Sequence, residues 1–284
     1  MSGQGRGDAM QDCMIGCFAG YGWDEVRIWA RSLLASGFAG RRVTLVREPR
    51  PGLAEALRAD GFEVVDCSAA PAVGTPHLQR FTDLHRFLHD QRRAGQTFRW
   101  VVATDVRDVC FQRNPIDFLS RIDPPRLVLS QEGMTYEHAA WNAQNLQAAF
   151  GPEAMQTLSW AAPSNAGVLA GPHYTIEGLA LLIAHLARGA ANEVADQAAL
   201  NLLVEALAGS LWFHRSGSAE PWACEAGVMA DPRRIEANRP HLLGPEPLWR
   251  DGWVLTASGE PYAIVHQYDR VPIWYLGITA RYGR

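Results

Sequence analysis

The first patterned segment is a continuous apolar run, CMIGCFA at 13–19. It is followed at 23–36 by a stretch in which Val26, Trp29, Ala30 and Leu33 recur at helical spacing. The alternation then repeats: RVTLV (42–46) precedes a helical stretch at 52–60, FEVVD (62–66) precedes one at 76–93, and RWVVAT (99–104) and RLVLS (126–130) follow. Strands that are apolar at every position are covered on both faces, and their alternation with amphipathic helices predicts an α/β fold with a mostly parallel sheet. Beyond residue 170 the rhythm changes. Helices are expected at 174–187 and 193–208, then short strands and loops in a Trp- and Pro-rich region, and last an apolar run within YAIVHQYDR at 262–270. No repeat, low-complexity tract or linker interrupts the pattern, so a single domain is expected over 13–284, after a polar, Gly-rich leader at 1–12 (MSGQGRGDAMQD).

Composition narrows the classes of function. The 284 residues are 48% hydrophobic and 20% charged, which suits a globular chain with a large core. A formal net charge of -4 offers no basic footprint for nucleic acid, yet a small phosphorylated ligand needs only a local cluster. The five cysteines, Cys13, Cys17, Cys67, Cys110 and Cys224, are odd in number and scattered, with no CxxC pair. They are expected to be reduced core thiols of a cytoplasmic protein. The most apolar long stretch, 178–186, is far shorter than the roughly 20 residues that cross a bilayer, so no transmembrane segment is expected.

The chemistry begins where the fourth apolar run ends. In WVVATDVRDVCFQ (100–112) it stops at Thr104 and gives way to Asp105 and Asp108, with Arg107 between them. Open α/β sheets take their ligands beyond the carboxyl ends of the strands. Carboxylates there can bind a hard divalent cation or accept from sugar hydroxyls; they can also serve as helix caps or pair with Arg107 or Arg113. Three later segments carry similar signals. PSNAGVLAGP (163–172) sets Asn165 and two glycines around a short apolar run, which lets backbone pass close to a ligand. EVADQAALNLLV (193–204) puts Asp196 and Gln197 in the first turn of a helix, and AIVHQYDR (263–270) ends a strand in His266, Asp269 and Arg270.

In this order and spacing, TDVRDVCFQRNP, SNAGVLAGP, ADQAALN and IVHQYDR resemble the GT-A fold glycosyltransferases, nucleotide-sugar-dependent enzymes with a DxD-type metal motif, and among them the glycogenin-like retaining branch. CFAGYGWDEVRIWARSLLASGF resembles their first strand, nucleotide-side loop and first helix. The resemblance implies a Rossmann-like GT-A fold, with 13–130 as the nucleotide-binding half and 131–284 as the acceptor-side half. It implies Asp105 at the ribose or the metal, an acid shortly after it on the metal, and His266 completing the coordination. The chain departs from the pattern because Arg107 stands two positions after Asp105 and the next acid is Asp108. Either Asp108 becomes the ligand through a shifted turn, or Asp105 and His266 hold the metal with diphosphate and water. Ala19, Tyr21, Thr104, Val106, Arg107 and Gly167 are implied contacts to the nucleotide sugar, and Asn165, Asp196 and Gln197 are implied as the catalytic groups around the donor sugar.

Breaking the bond from a sugar to a nucleoside diphosphate builds negative charge on the departing oxygen. A divalent cation bridging both phosphates stabilises that charge without proton transfer, and oxygen ligands with one imidazole suit Mn²⁺ or Mg²⁺. Arg80, Arg86 and Arg270 are candidate phosphate contacts. The expected function is metal-dependent transfer from a nucleoside-diphosphate sugar, UDP by default, to a carbohydrate, peptide or small-molecule hydroxyl with retention. An inverting reaction would need Asp196 or Glu132 as base. Trp141, Trp212, Trp222, Trp249 and Trp253 either stack on sugars or fill the core. Two alternatives stand beside this. A sugar-phosphate nucleotidyltransferase would open with a Gly-rich phosphate loop, of which FAGYGWDEV is a thin version. A non-catalytic nucleotide-sugar or carbohydrate binder is the reading that Arg107 in the second acid's place suggests.

Overall fold

The apolar runs become strands as expected. In the computed structural model, which describes residues 11–72, 74–190, 192, 194–207 and 213–283, they are β1 (Cys13–Ala19), β2 (Arg41–Arg47), β3 (Glu63–Asp66) and β4 (Val101–Thr104). Between them lie α1 (Trp23–Ala35), α2 (Leu53–Ala59) and α3 (Pro76–Arg93). The chain continues through β5 (Val109–Phe111), α4 (Pro115–Leu119), β6 (Leu127–Gln131), α5 (Ala140–Leu158), β7 (Ser164–Gly171), α6 (His173–Ala187), α7 (Ala195–Ala206) and β8 (Phe213–Ser216). It ends with β9 (Ala223–Glu225), α8 (Ala226–Met229), α9 (Ile235–Asn238), β10 (Leu248–Arg250), β11 (Trp253–Leu255), β12 (Ile264–His266) and α10 (Pro272–Tyr282). Most of the expected leader, and Trp212, lie outside the described residues.

Seven strands form one mixed, mostly parallel sheet in the order β3-β2-β1-β4-β7-β6-β8. β7 is the reversed strand, antiparallel to both β4 and β6. Successive residues of each strand feed two separate cores. Cys13, Ile15, Val101, Ala103, Leu127 and Leu129 pack beneath α3, α6 and α7, whereas Met14, Val102 and Val128 pack with Trp29 and Leu33 of α1, Leu57 of α2 and Leu119 of α4. Burial on both faces is the reason these strands carry no polar alternation. No helix among the described residues is long and apolar enough to cross a membrane. The five cysteines are free, and burial raises the pKa of each, Cys67 to about 11, which keeps them protonated at neutral pH.

Strand order sets the place for a ligand. From β1 the chain adds β2 and β3 on one side, then returns through α3 to add β4 on the other, so a crevice opens at the carboxyl ends of β1 and β4. The Trp29 indole N–H donates to Thr104 Oγ1 at 2.8 Å, tying α1 to the last residue of β4. A second, three-stranded sheet of order β5-β12-β9 continues from that end. Its core of Cys110, Cys224, Val265, Tyr262 and Trp274 also includes Ile28 of α1, so the Trp-rich region and α10 pack against α1.

Besides the short α4, α8 and α9, two helices of more than ten residues form where the apolar pattern marked none. α5 is broken at Gly151 (φ 84°, ψ 175°) and buries only Asn142, Leu146 and Leu158, so it presents no continuous stripe. α10 likewise buries three side chains, Trp274, Ile278 and Tyr282.

Gly16 lies where two layers meet, and a β-carbon there would stand 2.8 Å from both the Trp29 ring and Val106 Cγ2. Gly16→Ala is therefore expected to destabilise the fold by about 1–3 kcal/mol, read as a lowered midpoint in urea or thermal unfolding; an unchanged midpoint would show that the indole yields freely.

Candidate metal centre and its cleft

Beyond Thr104 the chain turns through Val106 and Arg107 before β5 begins. Val106 is 2% exposed and packs into the core beside Trp29, and with this side chain inward, Asp105 and Asp108 emerge on the same side of the turn. β7 runs antiparallel to β4 and overshoots its end. Asp105 N–H donates to Gly167 O at 2.8 Å, which brings Asn165 to Gly167 against the acids.

Strand register supplies the imidazole. β12 lies between β5 and β9, and its His266 is paired with Val109 on one side and Glu225 on the other. His266 Nε2 is 3.6 Å from Asp105 Oδ2 and 3.7 Å from Asp108 Oδ1, while Nδ1 is 2.7 Å from Glu225 Oε2. The ligand atoms of Asp105, Asp108 and His266 lie within 4.8 Å of one another, and among the described residues no other such group of three occurs. These separations exceed the roughly 3 Å between neighbouring donors around a small six-coordinate cation, so the side chains would have to draw in around an ion. The outer carboxylate of Glu225 fixes the ring orientation, as is usual for metal-binding histidines. Of the two candidate arrangements at the departure from DxD, the one with Asp108 beside Asp105 is the one the turn produces.

The cluster carries compensating charge without a cation, including Arg107 at 3.5 Å from Asp108. Burial alone would lower the pKa of His266, but the charge and hydrogen bond of Glu225, with Asp108 and Glu132 behind them, outweigh it and raise the value to about 9. The ring is thus protonated at neutral pH. Arg80 supplies a further compensating charge: from α3 it forms ion pairs with Asp105 and, at 2.7 Å, with Asp196 Oδ2. It ties the end of β4 to the first turn of α7.

Glu132, just after β6, organises the opposite wall. It is 5% exposed; its Oε1 accepts from Asn165 Nδ2 (2.8 Å) and Gln197 Nε2 (2.9 Å), and its Oε2 from Asn142 Nδ2 (2.6 Å). The Asn165 and Gln197 side-chain oxygens in turn accept from Gly167 N–H (2.6 Å) and Ala166 N–H (3.1 Å). Burial and Glu225 push the pKa of Glu132 up, against the pull of its three amide donors. Each side chain here is held by at least two neighbours, so the wall is rigid.

Around these groups lies a cleft of about 580 Å³ at the carboxyl ends of β1 and β4. The sequence candidates Ala19, Tyr21, Asp105, Val106, Arg107 and Asp108 line it on the sheet side. Arg80, Asn165, Gly167, Asp196, Gln197, His266 and Arg270 line the rest. A side cavity of about 150 Å³ adjoins through Phe18 and Ala19, with the Arg47–Asp83 ion pair (2.6 Å) in its wall.

Other candidates are placed elsewhere. Arg86 is exposed and lies 3.7 Å from Asp83, away from the cleft, because six residues of helix turn it about 120° from Arg80. Thr104 is buried with its hydroxyl engaged by Trp29. Trp222 is fully buried and stacks on Phe118, Trp249 stacks on Trp274, and Trp253 lies under Arg281. Trp141, 49% exposed, does line the cleft. Sequence reasoning missed Glu225 and Asn142. Glu225 ends the apolar run WACE as Asp105 ends its own, so the same signal was available; Asn142 sits on a helix without periodicity and gave none.

Two substitutions test the construction. Glu225→Gln removes the main charge that sustains the His266 proton, so the imidazole titration followed by NMR should fall from about 9 toward the ordinary histidine range; an unmoved titration would assign the shift to other groups. Gly167→Ala would set a methyl 2.6 Å from His266 Cε1 and 2.7 Å from Asp105 Oδ2, and is expected to abolish divalent-cation binding in calorimetry. Comparison with known protein families and with curated proteins finds no match for this chain, which leaves the chemistry of the cleft itself to say what it does.

Proposed function

We propose that this protein is a metal-dependent glycosyltransferase of the GT-A type, taking a sugar from a nucleoside-diphosphate donor, UDP by default, to an acceptor hydroxyl with retention. The observation that carries this reading is the convergence of Asp105, Asp108 and His266 at the crevice between β1 and β4, where a nucleotide is expected to sit in such a sheet. Asp105, Asp108 and His266 would hold Mn²⁺ or Mg²⁺, whose charge would stabilise the departing diphosphate.

The chain's own groups divide the remaining work. Arg270 faces the cleft and offers a guanidinium fork to phosphate oxygens, whereas Arg80, engaged with Asp105 and Asp196, and Arg107, 3.5 Å from Asp108 and 3.7 Å from Asp269, position the carboxylates. Tyr21 and Ala19 flank the nucleotide side, and the adjoining cavity offers an apolar wall of Phe18 and Leu45 for a base. Asn165, fixed by Glu132, keeps one Nδ2 proton for a donor-sugar hydroxyl, and Gln197, whose two Nε2 protons go to Glu132 and Asn142, keeps only oxygen acceptor capacity.

Retention is favoured by the state of the two acids that could act as base. Glu132 is enclosed by three amides, and Asp196 is paired with Arg80, so both carboxylates are turned to protein partners rather than to an acceptor hydroxyl. In the transfer, the bond from the anomeric carbon to the diphosphate oxygen breaks with its electron pair on that oxygen. The acceptor oxygen bonds to the same face of the carbon, and its proton leaves on the departing phosphate.

Thermal-shift titration with nucleoside diphosphates tests the assignment. Stabilisation by UDP or GDP should appear only with Mn²⁺ or Mg²⁺, and sugar transfer should release nucleoside diphosphate. Asp105→Asn and Asp108→Asn should each lower turnover by about a hundredfold or more. Indifference to every nucleoside diphosphate would remove the reading, and pyrophosphate release would replace it with nucleotidyl transfer.

A pH series gives a second test with opposite signs. Because the folded His266 pKa is raised to about 9, its proton stabilises the cation-free fold fully below the unfolded value of about 6.5. That contribution is lost as pH rises through about 9. A cation must expel the same proton, so Mn²⁺ affinity should rise about tenfold per pH unit across that window; a pH-independent affinity would exclude His266 as a ligand.

A further inference from the structure

A second chamber of about 460 Å³ continues from the cleft, sharing Glu132, Trp141, Gln267 and Arg270 as common wall. Its far side is formed by the α8–α9 segment. There Asp231 is taken by Arg233 at 3.0 and 2.8 Å, and Arg239 takes both Glu236 and Glu246. Arg234 is left facing the chamber with no carboxylate within ion-pair distance among the described residues. Among the described residues the one carboxylate that Arg270 meets is its neighbour Asp269, at 3.5 Å. Glu132 is the one acid among the described residues that line the chamber, and it already accepts three amides. Two guanidinium groups therefore face one space whose described lining holds no carboxylate free to pair with Arg234, in a chain whose net charge is -4.

Between the two chambers stands Trp141, on the first turn of α5, with half of its surface exposed. An exposed indole beside amides and hydroxyl-binding groups suits the apolar face of a sugar ring. Asn238 adds a further polar group: its Nδ2 is fixed by Val228 O at 3.0 Å. The size falls in the range of about 300–1,000 Å³ typical of small-molecule sites.

We propose that this chamber binds a carbohydrate bearing a carboxylate or phosphate, the ring lying against Trp141 and the anionic group paired with Arg234, while Arg270 stands at the boundary shared with the donor cleft. That this ligand is the acceptor rests on the glycosyltransferase reading above; its binding does not.

The test uses the full chain in saturation-transfer NMR with glucuronate, glucose 6-phosphate and glucose, each with and without UDP and Mn²⁺. At least one anionic sugar should bind about tenfold more tightly than glucose, and the one that does identifies the anionic group. Arg234→Ala should erase that margin while UDP affinity is unchanged, Arg234→Lys should restore part of it, and Trp141→Ala should weaken all three sugars. Equal binding of the three, or a margin that survives Arg234→Ala, would overturn the proposal. Failure of UDP to bind alongside a clear anionic preference would remove the donor reading and leave the chamber's specificity standing.

Discussion

Three carboxylates, Asp105, Asp108 and Glu225, converge on one imidazole at the end of β4, and the surrounding architecture answers the electrostatic problem this creates. Carboxylates drawn out of water repel one another unless compensating charge lies within a few ångströms. Arg80 and the His266 proton supply two such charges and Arg107, beside Asp108, a third. The first two come from segments distant in sequence, so the arrangement constrains α3, α7 and the three-stranded sheet together. A cation settling among the acids would displace the ring proton, a substitution of one positive group for another rather than the filling of a bare anionic pit.

Topology makes the convergence possible. A wholly parallel sheet would carry each strand end away from the next connection, but the reversed β7 brings its opening residues past the end of β4. Asn165 and Gly167 thereby reach the acids as part of a strand, with their backbone fixed by pairing. The small sheet does the same for His266 and Glu225, whose adjacency is a matter of register alone. Groups on paired strands hold their positions more closely than groups on loops.

Much of this was legible in the sequence, for reasons that differ by element. The first four strands and three helices were visible because burial on both faces of a sheet writes continuous apolar runs. The end of β4 was visible because charges there interrupt such a run. The pairing of Asp108 with Asp105 was open, since it depends on Val106 turning inward, a packing choice against Trp29 and Gly16. The direction of β7 was hidden because a short apolar strand reads alike in either orientation. α5 and α10 were hidden because they bury too few side chains to mark a period. Arg86 misled because charge type carries no information about helical phase, whereas Arg80, less than two turns earlier, points inward.

The pairing of β12 between β5 and β9 has one more consequence. Asp108 and His266 stand 158 positions apart in the chain, yet their side chains lie 3.7 Å apart across adjoining strands. Anything positively charged that lodges there acts as a clasp across that span, and its binding adds to the cost of peeling the small sheet away in proportion to the logarithm of its occupancy ratio. Occupancy of the cleft and integrity of the C-terminal third are thus the same equilibrium viewed from two ends.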